Sequence, residues 1–420
     1  MWRPQSERTI VYKYYLYQTT VVSGFFWPIF TIFLLDRGLS YTEITLLNSI
    51  SAAVIVVGEV PTGYVADRIG HRNSMLASSA LFVASVGGFA FAHTFLEFTA
   101  LWILWSFANT FRSGSADAWL YETLRERLDA DEYTRVRGRG TSANQWFSAA
   151  TMLTAGGLYA VDPVLPFVAG ASLNALGIPV LLAIPKTERY ADDGGSEDDE
   201  SEDGIDDGAG RDGDYGVSDA ISVVRSQLSR PPLRSFVLYF AVLFGVIAVV
   251  DNFIQPIVVG EVGLSESSLG VVYAGFAVVA AVASQHAARI EDALSTRGVV
   301  VAVPLVVSLA LLVPTLFPVV ALPAFFLMKG GRELLYPIMS GYVNDRVGTV
   351  GRATVLSAVS LLFALFRIPL QPLGGVVADA TSPITAVAAL AGLFVVAAAL
   401  LHLWEAPASR ATEERSVTTK

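Results

Sequence analysis

Twelve stretches of mostly apolar residues, each close to 20 long, constrain this chain more than any other feature. They run near 12–35, 44–66, 74–93, 98–121, 141–161 and 166–185, then 233–255, 267–288, 298–317, 320–343, 353–376 and 384–404. A bilayer's hydrocarbon core is about 30 Å thick and is crossed by roughly 20 apolar residues in a helix. With no water there to satisfy the backbone, runs of this length read as α-helices. Composition agrees: of 420 residues, 53% are hydrophobic and only 16% charged, with a mean hydropathy of +0.53. Soluble domains carry about 25% charged residues, and a soluble chain this apolar could not cover its surface. The expected class is therefore all-α and polytopic. Proline within the spans (Pro28, Pro61, Pro179, Pro256, Pro369) is tolerated there. The first span is too long for a signal-peptide core and is expected to remain as a helix.

Basic residues orient the spans. Of 28 Lys and Arg, 23 fall in segments on one side, a single one (Arg37) on the other, and four (Arg112, Lys329, Arg332, Arg367) inside spans. The positive-inside rule then places both termini in the cytoplasm and the chain in the inner or plasma membrane. The net charge of −10 has a local source, since residues 191–216 hold 12 acids and one Arg. Such a segment cannot bury enough surface to offset its ordering entropy and is expected to be a disordered tether. After it, Val217, Ala220, Ile221, Val224 and Leu228 recur at helical spacing, predicting a short amphipathic helix on the membrane surface. The resulting organisation is a six-helix bundle over 1–188, an acidic tether over 189–216, a surface helix over 217–230, a second six-helix bundle over 231–405 and a tail over 406–420.

The halves repeat each other. Gly38-Leu39-Ser40 recurs 225 residues later as Gly263-Leu264-Ser265, and Asp67 and Arg72 recur as Asp292 and Arg297. Arg112 in span 4 answers Arg332 in span 10, Gly156-Gly157 answers Gly374-Gly375, and Pro28 answers Pro256. Five matches in one order indicate duplication. Parallel six-helix repeats put a substrate path between the halves and move by rocking one against the other.

Between spans 2 and 3, the run Gly63-Tyr-Val-Ala-Asp67-Arg68-Ile-Gly70-His71-Arg72 closely resembles the loop signature G-x-x-x-D-R-x-G-x-R of the major facilitator superfamily. Residues 112–122 and 351–354 look like those of a poorly characterised prokaryotic group within it. The resemblance implies two pseudo-symmetric six-helix bundles. It also implies a cytoplasmic latch, in which Asp67 meets span 11 near Arg352–Thr354 and Arg72 pairs with Glu122. The residues have a plain physical reading too. Gly63 lets a helix approach closely, Gly70 permits a tight turn, Asp67 can face a helix N-terminus, and Arg68 and Arg72 anchor the loop. The second copy is degraded, with Ala288, Ala293 and Ser295 at the glycine, arginine and glycine positions.

Ionisable groups inside a membrane are expensive, about 2.5–3.5 kcal/mol each on insertion scales, so each needs a partner or a function. The candidates are Glu59, Arg112, Asp117, Asp251, Lys329, Arg332, Glu333 and Arg367. Lys329 and Glu333, four apart, are able to satisfy each other. Asp117, near the end of its span, reads as structural. The resemblance implies that spans 1, 4, 7 and 10 line the cavity, which would bring Arg112, Asp251, Lys329, Arg332 and Glu333 to the substrate path. Asp251, and after it Glu59, are the carboxyls expected to carry a coupling proton. The aromatic residues of spans 1 and 4 (Phe25, Phe26, Trp27, Phe30, Phe33, Trp102, Trp105, Phe107) are expected mainly as interface anchors, with a solute-lining role as the alternative.

No lysine follows a glycine, so the chain has no phosphate loop and no ATPase of its own. The four histidines lie outside any H-E-x-x-H pattern, and cysteine is absent, so no metal site and no cofactor are expected. The leading expectation is a monomeric secondary active transporter rather than an enzyme. Its partners would be the bilayer, a small-molecule substrate and a coupling ion (protons or sodium), with no nucleic acid. Efflux of an amphipathic organic compound leads. Uptake of an organic anion steered by Arg112 and Arg332, or a transport-inactive sensor, is the alternative. The span-5 pattern of drug/proton antiporters, G-x-x-x-G-P-x-x-G-G, survives here only as Gly156-Gly157, so direction is the least determined property.

Overall fold

The computed structural model describes residues 5–187, 231, 233–347 and 352–405. The expected tether, surface helix and tail lie outside the described residues. All regular structure among the described residues is helical. The helices are α1 (Gln5–Thr20), α2 (Phe30–Asp36), α3 (Tyr41–Ile69), α4 (His71–Phe89), α5 (Phe95–Ser113), α6 (Ser115–Arg127), α7 (Tyr133–Val161) and α8 (Leu165–Leu182). The second half supplies α9 (Leu233–Val250), α10 (Leu269–Gln285), α11 (Ala287–Leu312), α12 (Ala321–Arg346), α13 (Arg352–Ala380) and α14 (Pro383–Trp404). Joined across short breaks, these make twelve rods in the expected order among the described residues. Seven are long and apolar enough to cross a membrane on length and composition alone. Others fall short for visible reasons: α12 carries Lys329, Arg332 and Glu333, and the fourth rod breaks at Gly114.

The first rod is interrupted between α1 and α2. Pro28 brings no N–H to a helical ladder, and the chain crosses the gap in a single 3₁₀ turn, Trp27–Ile29. Gly24 lies in the gap because a Cβ there would collide with Thr151 and the Ser148 carbonyl of α7. Helix starts are specified locally. Ser40 with Glu43 and Thr94 with Glu97 form reciprocal capping boxes that start α3 and α5. At the repeat points, Gly38 (φ 87°) and Gly263 (φ 80°) adopt the same left-handed backbone. Gly70 (φ 85°, ψ 147°) turns α3 into α4. Ser295, its counterpart in the second half, holds nearly the same angles (φ 62°, ψ 155°) despite its side chain, a conformation that costs a non-glycine residue free energy. The duplication has preserved a backbone whose glycine it lost.

Within the first half, α4 packs on α5 and α8, α3 on α5, and α1 on α7 and α8. The second half mirrors this, with α9 on α13 and α14, α10 on α12, and α11 on α12 and α14. Between the halves, α3 packs on α13 and α7 on α10. Both seams use the repeated glycine pairs. Gly156 of α7 leaves no room for a Cβ against the Ser267 backbone, and Gly375 of α13 leaves none against Thr42 and Thr45. Small residues let backbones touch where lipid gives no hydrophobic drive to associate.

One face of the bundle carries the starts of α1 and α9 and the end of α14, where Arg234 pairs with Glu405. We term it the terminal face, and the opposite one the far face. The seams close at the far face. At the terminal face Gly63 of α3 and Gly341 of α12 have no atom of the described residues within 4 Å of a would-be Cβ. No described residue makes the close approach expected at Gly63, and the described residues leave this face open.

Candidate functional site

Two adjoining lobes of one cavity, about 480 and 440 Å³, lie between the halves and share Trp27, Asn48, Ser51, Trp102 and Arg367. Trp27, Phe30, Trp102 and Trp105 form aromatic wall. Phe26, Phe33, Phe89 and Phe167 stack behind them, fully buried in the first half's core. The first span's aromatics are thus core and cavity lining. The expectation that they serve chiefly as interface anchors is corrected, because the broken first rod turns its rings inward.

Asp251 sits where α9 passes into a 3₁₀ turn, and its Oδ1 lies 2.8 Å from Lys329 Nζ of α12. The same oxygen has no partner at good hydrogen-bonding angles, so the contact is an ion pair by distance and not a directed hydrogen bond. Lys329 therefore spends its charge across the bundle and not on Glu333, which replaces the expected in-helix pair. Glu333 has Arg332 at 3.5 Å and is not part of the cavity lining. Arg332 and Arg367 line the larger lobe, and Arg112 and Arg367 the smaller. Among the described residues Arg112 donates only to Asn109 Oδ1, at 3.3 Å. Arg367 forms no ion pair among the described residues, and its buried Nε has no acceptor.

Neutral amides do the joining. Asn252, next to Asp251, accepts a 2.7 Å hydrogen bond from Asn48 of α3 and donates to Gln371 of α13 at 2.9 Å. Gln255, one turn further on and 3% exposed, repairs the gap in the first rod. Its Oε1 accepts from the backbone N–H groups of Thr31 (2.7 Å) and Ile32 (3.3 Å), while its Nε2 donates to the Trp27 carbonyl and the Tyr273 hydroxyl. All four of its hydrogen-bonding sites are used. At the far face, the Asp379 carboxylate accepts from the N–H groups of Tyr41 (2.9 Å) and Thr42 (2.8 Å), capping α3 from the other half. Ser49 donates to the Ile368 carbonyl across the same seam. Asn48, Asn252, Gln255, Gln371 and Asp379 all escape a search for buried charge. The signal that could have found them is polar residues at helical spacing on an apolar span, as in Asp251, Asn252 and Gln255.

The remaining candidates lie elsewhere. Glu59 is exposed on α3 and lines neither lobe. Asp117 binds Arg137 through two hydrogen bonds of 2.7 and 2.8 Å, and its carboxylate raises Arg137 further above its ordinary value. In the loop, Arg68 stacks on Tyr64 and Gly70 makes the turn. Arg72 donates to the Leu181 and Leu182 carbonyls of α8, and not to Glu122. Glu122 instead lies 3.5 Å from His71. Asp67 makes no hydrogen bond with the described residues, and the side chains it was expected to meet, Arg352–Thr354, lie outside them. With the terminal face open, Arg72 is held by its own half.

The family model for the major facilitator superfamily matches residues 19–368. The chain is 23% identical over 396 residues to the uncharacterised MFS-type transporter YxaM of Bacillus subtilis (strain 168), covering 90% of this chain and 89% of that one. Among solved structures, the nucleoside transporter NupG superposes with a TM-score of 0.70 at 11% identity, over 95% of this chain and 99% of that one. A bacterial homolog of the human lysosomal transporter Spinster, inward-facing and unoccupied, gives 0.67 at 16% identity, over 95% of each chain. These structural likenesses are likenesses of fold.

Proposed function

Because the chain belongs to the major facilitator superfamily, we propose that it exports a small amphipathic organic solute by proton-coupled alternating access, with Asp251 as the coupling carboxyl. The family makes it a multi-pass membrane transporter and not an enzyme. In the proposed cycle the far face is the outer one, and the state described is inward-facing, the face from which an exporter loads. The aromatic wall, of which Trp27 is the exposed member at 44%, suits the apolar part of such a solute.

One observation carries the coupling. Asp251 pairs with Lys329 on one side, while Asn252 and Gln255 of the same turn and a half bind the first half on the other. Protonating Asp251 frees Lys329 and removes one charge from the segment that ties the halves together. Charge state and closure of the outer gate are thereby linked through a single stretch of backbone. Asp67 and the terminal-face loop would take over as the latch when the inner side closes.

The test is flux in proteoliposomes over a solute panel, with and without a proton gradient. Asp251→Asn is expected to abolish gradient-driven accumulation while leaving counterflow of the same solute. Gradient-driven accumulation by that variant would exclude Asp251 as the coupling group. Everted vesicles separate export from import: uptake confined to right-side-out vesicles would overturn the direction.

A further inference from the structure

The central cavity is lined by four bases, Arg112, Lys329, Arg332 and Arg367, and by a single carboxylate, Asp251. Lys329 uses that carboxylate, and Arg332 has Glu333 beside it at 3.5 Å. Arg112 and Arg367 are left without an anionic partner among the described residues, and Arg367 keeps a buried N–H donor with no acceptor. Cations at membrane depth are retained where they pair or act. These two come from opposite halves, α5 and α13, and line the same lobe with Trp27, Phe82, Trp102 and Trp105.

We infer that the cavity binds an aromatic organic anion, with its anionic group held between Arg112 and Arg367 and its ring among Trp27, Trp102 and Trp105. A guanidinium presents a planar fork of donors that matches a carboxylate or sulfonate, and the surrounding rings supply apolar contact of the kind small-molecule sites use. An anion spanning one arginine from each half draws the open inner side together, so binding and closure become one event. This rests on the transporter reading above and gives its solute a charge sign. It replaces Arg332 by Arg367 as the second contact, because Arg332 already has a carboxylate at hand.

The experiment is equilibrium binding to the purified full chain in nanodiscs, by calorimetry, with four probes sharing one ring. They are 2-naphthoate, 2-naphthalenesulfonate, 2-naphthylmethanol and 2-naphthylmethylammonium. The anions are expected to bind at least about tenfold more tightly than the alcohol. Arg112→Gln and Arg367→Gln should each weaken the anions by roughly tenfold to a hundredfold, the loss of one charge-assisted contact, with affinity for the alcohol unchanged. Should either glutamine variant fail to fold, Arg112→Lys and Arg367→Lys keep the charge and lose the fork, and are expected to weaken the anions severalfold. Preference for the ammonium or the alcohol, failure of both anions to bind at about 1 mM, or anion affinity indifferent to both arginines would overturn the inference. Binding without flux in proteoliposomes would refute the transport reading and leave this one standing. Flux of the ammonium probe but of neither anion would do the reverse.

Discussion

Replacing Asp379 by alanine should open the far face. The carboxylate accepts from the N–H groups of Tyr41 and Thr42 at 2.9 and 2.8 Å, and these are the first two residues of α3, whose amides have no partner inside the helix. Ser40 already serves the Glu43 amide, so Asp379 is the cap for the other two. It reaches them from α13, in the other half, and the bonds exist only while the halves touch. Losing an exposed charged cap costs about 1 kcal/mol, and all of it falls on the closed far face. The equilibrium between states should shift by roughly fivefold toward the far-open one. Thr45 provides the probe: it is fully buried, and its Oγ1 occupies the space a Cβ on Gly375 would need. Since the chain has no cysteine, Thr45→Cys would be its sole thiol. A membrane-impermeant maleimide added from the far side should label it about fivefold faster in the Asp379→Ala background. Asp379→Asn, which keeps an acceptor but no charge, should fall between. An unchanged or slower labelling rate would refute the reasoning.

Gln255→Ala should raise the same labelling rate further, because it strands two backbone amides at about 1–3 kcal/mol each; a smaller effect than Asp379→Ala would count against the repair of the first rod. Gly156→Val, which sets a side chain into the Ser267 backbone, should hold the far face apart and slow exchange of solute, as measured by counterflow. Ser295→Gly removes the strain of a positive φ and should stabilise the protein by about 1–2 kcal/mol, read as a higher melting temperature with unaltered flux. Arg137→Gln breaks a half-exposed pair with Asp117 and should cost less than about 1 kcal/mol; a larger loss of stability, read from the melting temperature, would refute the view that solvent screens this pair.

Hydropathy made the rods legible, because a bilayer imposes a length on every span that no tertiary contact can waive. The repeat was legible for a similar reason: Gly38 and Gly263 are needed where the backbone turns left-handed, and that need survives sequence drift. Ser295 shows its limit, since the backbone persisted after the glycine had gone. The interior charges were visible as costs, but their partners were not. Lys329 could reach Glu333 along its own helix or Asp251 across the bundle, and only the packing of α9 against α12 decides. The far-face joints were least visible. Neutral amides such as Asn48, Asn252 and Gln255 raise no alarm in an apolar span, and Asp379, near a helix end, reads as an ordinary solvated acid until α3 is brought against it.

Gln255 makes the secondary structure of one half depend on the other. While the far face is shut, its side chain stands in for the missing turn between α1 and α2. When the halves part, the amides of Thr31 and Ile32 lose that acceptor at a depth where bare backbone is not tolerated. The segment must then rewind, passing the Thr31 N–H back to the Trp27 carbonyl, or admit water. In the first case, rocking of two rigid bodies would be an incomplete description of the cycle. Where the segment rewinds, each turnover would form and melt about one turn of helix, and the stroke would be in part a folding reaction whose speed responds to whatever favours or opposes helix at residues 24–30.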